Sequence, residues 1–189
     1  MYRRRFCQTA LLGAASVPLL SNATLASVYA GLTTVDRDLE ALTLGGAERT
    51  LAQATVQELA DSLRGSLLLP GNAAYDTARL VLNPAIDKYP ALIVQPSGPA
   101  DVSSAVQFAR DKALEVAVKC GGHSSSGKST CNGGMLIDLS SFRDVRVDLD
   151  RRSAFVTGGS LLGQIDHEAM ALGLVTTAGT VSHTGVGGL

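Results

Sequence analysis

The sequence predicts an α+β fold: a small parallel βαβ sheet, then a mixed or antiparallel sheet, with flanking helices. Three patterns carry this. Ala91-Leu92-Ile93-Val94 and Val116-Ala117-Val118 are short apolar runs suited to buried strands, and between them Val102, Ala105, Val106 and Ala109 recur on one helical face. Strand, helix, strand over that distance marks a parallel βαβ unit, because parallel strands need a long crossover. Further on, Val145-Arg146-Val147-Asp148-Leu149 alternates, turns near Asp150-Arg151-Arg152 and returns through Ala154-Phe155-Val156, a half-exposed hairpin. Composition agrees: with 46% hydrophobic and 17% charged residues, the 189-residue chain suits one folded domain better than a disordered one.

In chain order, residues 1–26 have the layout of an export signal. Arg3-Arg4-Arg5 is a basic start, Ala10 to Leu20 is apolar, and Thr24-Leu25-Ala26 offers a cleavage site. Arg3-Arg4-Arg5-Phe6 fits the twin-arginine pattern, so export of a folded protein to the periplasm or the cell exterior is expected. The apolar run falls short of the ~20 residues of a spanning helix, so no stable membrane span is expected. Residues 27–85 read as a lead-in with one helix. Ser27 to Gly46 has no clear period, while Val56, Leu59, Ala60 and Leu63 share a face of a helix expected from Ala47 to Arg64 and stopped by Gly65. Leu67-Leu68-Leu69 is an apolar run closed by Pro70-Gly71-Asn72.

Residues 86–189 hold the βαβ unit, with Pro99 near the start of its helix and the second strand ending directly at Gly121-Gly122. Met135 to Leu139 is a third strand, the hairpin follows, and Leu162, Ile165, Ala169 and Leu172 make a last helical face stopped by Gly173. The net charge is −1 and the one basic cluster lies in the export segment, so nucleic acid is not an expected partner. Cys7 would leave with that segment. Cys120 and Cys131 bracket one glycine-rich loop, match no zinc spacing, and read as two small buried residues.

That loop, Lys119 to Thr130, supports two readings. Gly122, four residues, Gly127, Lys128 and Ser129 match the nucleoside-triphosphate loop, which would put Lys128 on the phosphates and Ser129 on Mg²⁺. Its chemistry requires a helix starting at the lysine, yet Thr130-Cys131-Asn132-Gly133-Gly134 follows, and each Gly costs a helix ~1 kcal/mol against Ala. The other reading is a flavin loop. Two glycines let backbone approach a cofactor's pyrophosphate, and a neutral imidazole straight after them is a good nucleophile toward the flavin 8α carbon.

The surrounding sequence separates the two. Tyr89-Pro90-Ala91-Leu92-Ile93-Val94-Gln95-Pro96, Asp101-Val102, Phe108-Ala109, Gly121-Gly122-His123-Ser124, Gly127, Ile137-Asp138-Leu139-Ser140, Gly158-Gly159-Ser160 and Gly185-Val186-Gly187-Gly188 occur in one order. In that order they resemble FAD-linked oxidases of the berberine bridge enzyme-like (BBE-like) group, in the vanillyl-alcohol oxidase/PCMH-type superfamily. Pro70-Gly71, Tyr75-Asp76, Ala78-Arg79 and Asn83 resemble that family's lead-in, so the likeness runs from about Gly65 onward.

The resemblance implies a PCMH-type FAD-binding domain, incomplete at its C-terminal side, with FAD joined covalently to His123 as an 8α-histidyl bond. It implies that Gly121, Gly122, Ser124 and Gly127 line the diphosphate, with Lys119 and Cys120 also among the cofactor-binding residues. Gly179, Thr180, Thr184, Gly185 and Gly188 would lie along the ribityl and isoalloxazine part. Lys119 stands where the family commonly has arginine; it keeps the charge but loses the planar fork. Val181 stands where some members have a second attachment cysteine, so a single covalent bond is expected. His183 is read as a loop residue and His167 as surface. The implied activity is hydride transfer from a small-molecule C–H to flavin N5, then reoxidation by O₂. Family members are longer, and their acids and bases come from other parts, so no catalytic residue is expected here. The chain is expected to be a fragment or truncated product that does not turn over alone.

Overall fold

A computed structural model describes residues 33–188; the export-signal reading falls on residues 1–26, outside the described residues. Leu39–Leu42 (β1) and Glu48–Leu51 (β2) form an antiparallel hairpin with Leu39 opposite Leu51. This corrects two expectations. The stretch before Gly46 holds a strand, and the helix expected from Ala47 begins only at Gln53, as α1 (Gln53–Ser62). Gly46, at φ +78°, lets the chain reverse. Pairing with β1 then claims Glu48 to Leu51, whatever their helix propensity. Leu39, Ala41 and Leu51 point into the core, which fixes the register.

The main sheet has four strands: β3 (Ser66–Leu68), β4 (Leu92–Gln95), β5 (Val116–Lys119) and β6 (Met135–Asp138), in the order β3-β4-β6-β5. β3 is antiparallel to β4, while β4 and β5 both run parallel to β6. The βαβ unit is present, but β6 lies between its two strands. All of β6 is buried, as befits a central parallel strand covered on both faces. Leu92, Val94, Met135 and Ile137 face α1 and α3 (Pro99–Asp111), in a core that also takes in Leu51, Val56, Leu59, Ala105 and Ala109. Ile93, Leu136 and Ala117 face the opposite way and pack with Tyr75 and Ala78 of α2 (Tyr75–Arg79) and with Cys131. A second sheet is the hairpin β7 (Val145–Asp148) and β8 (Ser153–Val156), in the register Val145–Val156. It rests on α4 (Leu162–Met170), whose Leu162, Ile165 and Ala169 are buried. The α+β expectation holds.

Asp101, in the first turn of α3, joins the start of this domain to the lead-in. Its carboxylate accepts hydrogen bonds from the backbone N–H of Arg64 (3.0 Å), Gly65 (2.9 Å) and Ser97 (2.8 Å), and from the Ser97 hydroxyl (3.0 Å). Burial works to raise this carboxyl, but the donors at Ser97, Arg64 and Gly65 outweigh it and hold the group below its ordinary value. Its contribution is therefore complete above the unfolded-state value of ~4 and is lost as pH falls through the lower folded value. Asp101→Ala, leaving buried N–H groups unpaired, should lower stability by about 3 kcal/mol in urea denaturation at neutral pH. Asp101→Asn should lose this acid dependence, its midpoint approaching the parent's as pH drops from about 6 to about 3.

Candidate functional site

β5 and β6 are adjacent and parallel, so the chain leaving Lys119 must travel back along the sheet before Met135 can start. In place of a helix, residues 120–134 make that return as a loop of turns and bends. A long loop without regular structure inside a compact fold is the usual place for a binding site. Its glycines have separate reasons. Gly122 sits at φ +70°, open to glycine at no steric cost. Gly121 is needed because another loop presses on it: a Cβ there would lie 2.6 Å from the Gly185 nitrogen and 2.8 Å from the His183 carbonyl oxygen. The reverse holds too, since a Cβ on Gly185 would lie 2.3 Å from Cys120 Sγ.

The loop around Gly185 is held by α4 and the segment before it. Val186 N–H donates to Ser160 O (2.9 Å), Leu162 N–H to Thr184 O (3.0 Å) and Gly163 N–H to Ser182 O (2.8 Å). Where the two glycine loops meet they wall a cleft of about 390 Å³, lined in part by Cys120, Gly121, Gly122, His123, Thr184 and Gly185. Val118, Ser124, Ser129, Leu139, Gly158, Gly187 and Gly188 complete the wall.

His123 lies at the centre of this arrangement. Its ring meets His183 edge-on, with centroids 4.5 Å apart, and its Nδ1 is 3.5 Å from Thr184 Oγ1. Its Nε2 is buried and has no hydrogen-bond partner. A buried unpaired nitrogen costs about 1–3 kcal/mol, which a bond to a group in the cleft would offset.

Of the residues singled out in the sequence, His123, Cys120, Gly121, Gly122, Ser124, Thr184, Gly185 and Gly188 lie in the cleft wall. Gly127 does not; it is buried at φ +70° over Ile86, whose Cγ2 would be 2.9 Å from a Cβ. Gly179 and Thr180 are exposed and outside the wall. Lys119 projects from the other face of β5, where its ammonium bonds to Ala78 O and pairs with Asp138 Oδ2 at 3.4 Å. That charge is spent inside the fold, because side chains alternate along a strand and Val118 takes the cleft side. Val118, Leu139, Gly158 and Gly187 were not picked out for the site. The only sequence signal was their place in or beside the quoted glycine motifs and the strand ends.

Lys128 is exposed, and residues 125–130 are turns leading toward β6 without a helix. The anion-binding helix terminus of a nucleoside-triphosphate loop is therefore missing from residues 122–134. Cys120 and Cys131 are both free; burial pushes the Cys131 thiol up to about 11, which leaves it unreactive. Among the described residues no group of His, Cys, Asp and Glu is placed to hold a metal ion, and no helix is long and apolar enough to cross a membrane.

A family model described as an FAD binding domain matches residues 90–189. An FAD-linked oxidoreductase of Dictyostelium discoideum is 37% identical over 135 residues, covering 71% of this chain and 29% of that protein. (R)-6-hydroxynicotine oxidase of Paenarthrobacter nicotinovorans is 29% identical, covering 68% of this chain and 28% of the relative. The solved structure of BBE-like 1 from Physcomitrella patens superposes with a TM-score of 0.63 at 28% identity, covering 69% of this chain and 29% of the other. The chain thus spans under a third of the length of these relatives.

The contact between the two loops is open to test. Gly185→Ala should cost about 2–3 kcal/mol and expose Cys120, raising its rate of reaction with a thiol reagent. Gly188→Ala, with nothing within 4 Å of its Cβ, should stay within about 0.5 kcal/mol of the parent.

Proposed function

Since this chain belongs to the FAD binding domain family, whose relatives here are FAD-linked oxidoreductases, we propose that it is the flavin-holding part of an FAD-dependent oxidase with His123 as the covalent attachment residue. The observation that carries the reading is the buried, partnerless Nε2 of His123 in a cleft walled by two glycine loops. The donor set fits the group. Gly121, Gly122 and Ser124 offer backbone and a hydroxyl suited to a diphosphate, and Thr184, Gly185 and Gly188 offer a flat, side-chain-poor wall suited to a planar ring.

Bound there, FAD would supply the electron sink for hydride transfer from a small-molecule C–H to N5, with O₂ as final acceptor. His123 would hold the flavin ring covalently through an imidazole nitrogen. Thr184, 3.5 Å from Nδ1, can hold the imidazole in one orientation. Two further parts of the proposal rest on the sequence. Residues 1–26 direct export by the twin-arginine route, and the substrate acids and bases belong to the regions that the relatives have beyond this likeness, so these 189 residues do not turn over alone.

The chain, expressed and precipitated in acid, should keep a yellow flavin spectrum and an intact mass raised by one FAD. His123→Ala should lose both and Lys128→Ala should keep both. A colourless pellet of unmodified mass from the parent chain would count against covalent attachment.

A further inference from the structure

Residues 82–91 run alongside the loop 120–134 for most of its length. Leu82 N–H donates to Gly122 O (3.0 Å), Gly133 N–H to Tyr89 O (2.8 Å) and Ala91 N–H to Gly134 O (2.8 Å). Tyr89 N–H donates to the Asn132 side-chain oxygen (2.9 Å). Ile86 fills the space under Gly127, so closely that a Cβ on that glycine would strike it. These contacts resemble a strap laid along the loop, although neither partner is a strand.

Among the described residues, the middle of the loop, residues 124–130, is hydrogen-bonded to the rest of the fold through one side chain. Lys88 Nζ donates to Gly127 O at 2.9 Å and to Thr130 O at 3.2 Å. The same stretch has three more bonds of its own: Gly127 N–H to Ser124 O (3.2 Å), Lys128 N–H to Ser124 Oγ (3.1 Å) and one between the Ser124 and Ser126 hydroxyls (3.4 Å). All three are internal and cannot fix it to the rest of the fold. Lys88 is itself held in place. Arg79, buried on α2, bonds to Asp76, Asp87 and the Lys88 carbonyl, and its guanidinium lies 3.9 Å from the centroid of the Tyr89 ring.

We propose that Lys88 is a positioning residue for the attachment loop: its ammonium, docked on the Gly127 and Thr130 carbonyls, fixes residues 124–130 and so keeps His123 and Ser129 in the cleft wall. It touches neither the cleft nor His123 and acts only through the loop. A lysine suits the task because one ammonium presents several donors to carbonyls that diverge. A charged donor also makes a stronger bond to a carbonyl than a neutral one. The part of the proposal concerning flavin rests on the function proposed above; the part concerning loop order does not.

The test uses the whole chain as the parent, Lys88→Met and Lys88→Arg. Trypsin cleavage after Lys128, at the exposed tip of the loop, reports loop opening. Cleavage after Arg151, in the distant β7–β8 turn, is the control. Lys88→Met should be cut after Lys128 about tenfold faster than the parent with cleavage after Arg151 unchanged, and Lys88→Arg should return to within about twofold. Lys88→Met should also carry a tenfold smaller fraction of acid-stable flavin, again restored by Lys88→Arg. Equal cleavage after Lys128 in the parent and Lys88→Met overturns the proposal, as does an equal rise after Arg151, which would mean global loosening. A parent chain without covalent flavin that still shows selective opening in Lys88→Met would sink the attachment reading and leave the positioning role standing.

Discussion

Two neighbouring strands that run the same way cannot be joined by a short turn, and this constraint organises the structure around β5 and β6. The return path from Lys119 to Met135 must cross the sheet. In most parallel sheets a helix makes the crossing and satisfies its own backbone. Here irregular chain makes it, so the amides and carbonyls of residues 120–134 need partners from elsewhere. The hairpin β1–β2 and the segment 82–91 each supply some of them: Leu42 N–H bonds to Gly133 O and Leu82 N–H to Gly122 O, while the loop around Gly185 presses on Gly121. The cleft is the space that this arrangement leaves open.

Charge is used in the same spirit, inside the fold more than in the cleft. Asp138 is almost wholly buried at the end of β6, yet it is well satisfied. It accepts from Gln95 Nε2 (3.0 Å) and Ser140 N–H (3.1 Å) and pairs with Lys119. Lys119 in turn bonds to Ala78 O and reaches Leu80 O at the end of α2, where carbonyls lack helical partners and favour a cation. Removing one member of such a pair would strand the other in a dry site, which is why buried pairs are costly to break even when they add little net stability. Lys119 and Asp138 therefore tie α2, β5 and β6 together at the edge from which the cleft loop departs. Asp101 does the same at the joint between α1, β3 and α3.

The parts of the fold written in periodicity were legible. β4, α3, β5, β6, the β7–β8 hairpin and α4 each lie within a residue or two of where alternation or helical spacing puts them. β1 and β2 were not, because Glu48-Arg49-Thr50-Leu51 carries no alternation and becomes a strand only through pairing. The site was legible as a list of residues and less so as a set of reasons. That Gly121 and Gly185 must be glycine can be read from the chain, but the cause is that they press on each other from distant positions. Lys119 shows the limit from the other side. A basic residue beside a glycine loop points to phosphate, and only strand parity reveals that it faces away. Residues 82–91 were legible only as likeness, at Asn83 and Tyr89-Pro90-Ala91; their contribution consists of backbone hydrogen bonds, Ile86 and one lysine, none of them in a period.

That last segment bears on where the working unit begins. The match to the family model starts at residue 90, inside the strap and two residues after Lys88. A piece cut at that point would carry the histidine loop but not Leu82, Ile86 or Lys88, and it would also lack β3, which covers one edge of the main sheet. The boundary of the family model's match and the boundary of mechanical self-sufficiency are thus different places. Anyone transplanting this flavin-holding element into another protein would have to take the chain from β1 onward.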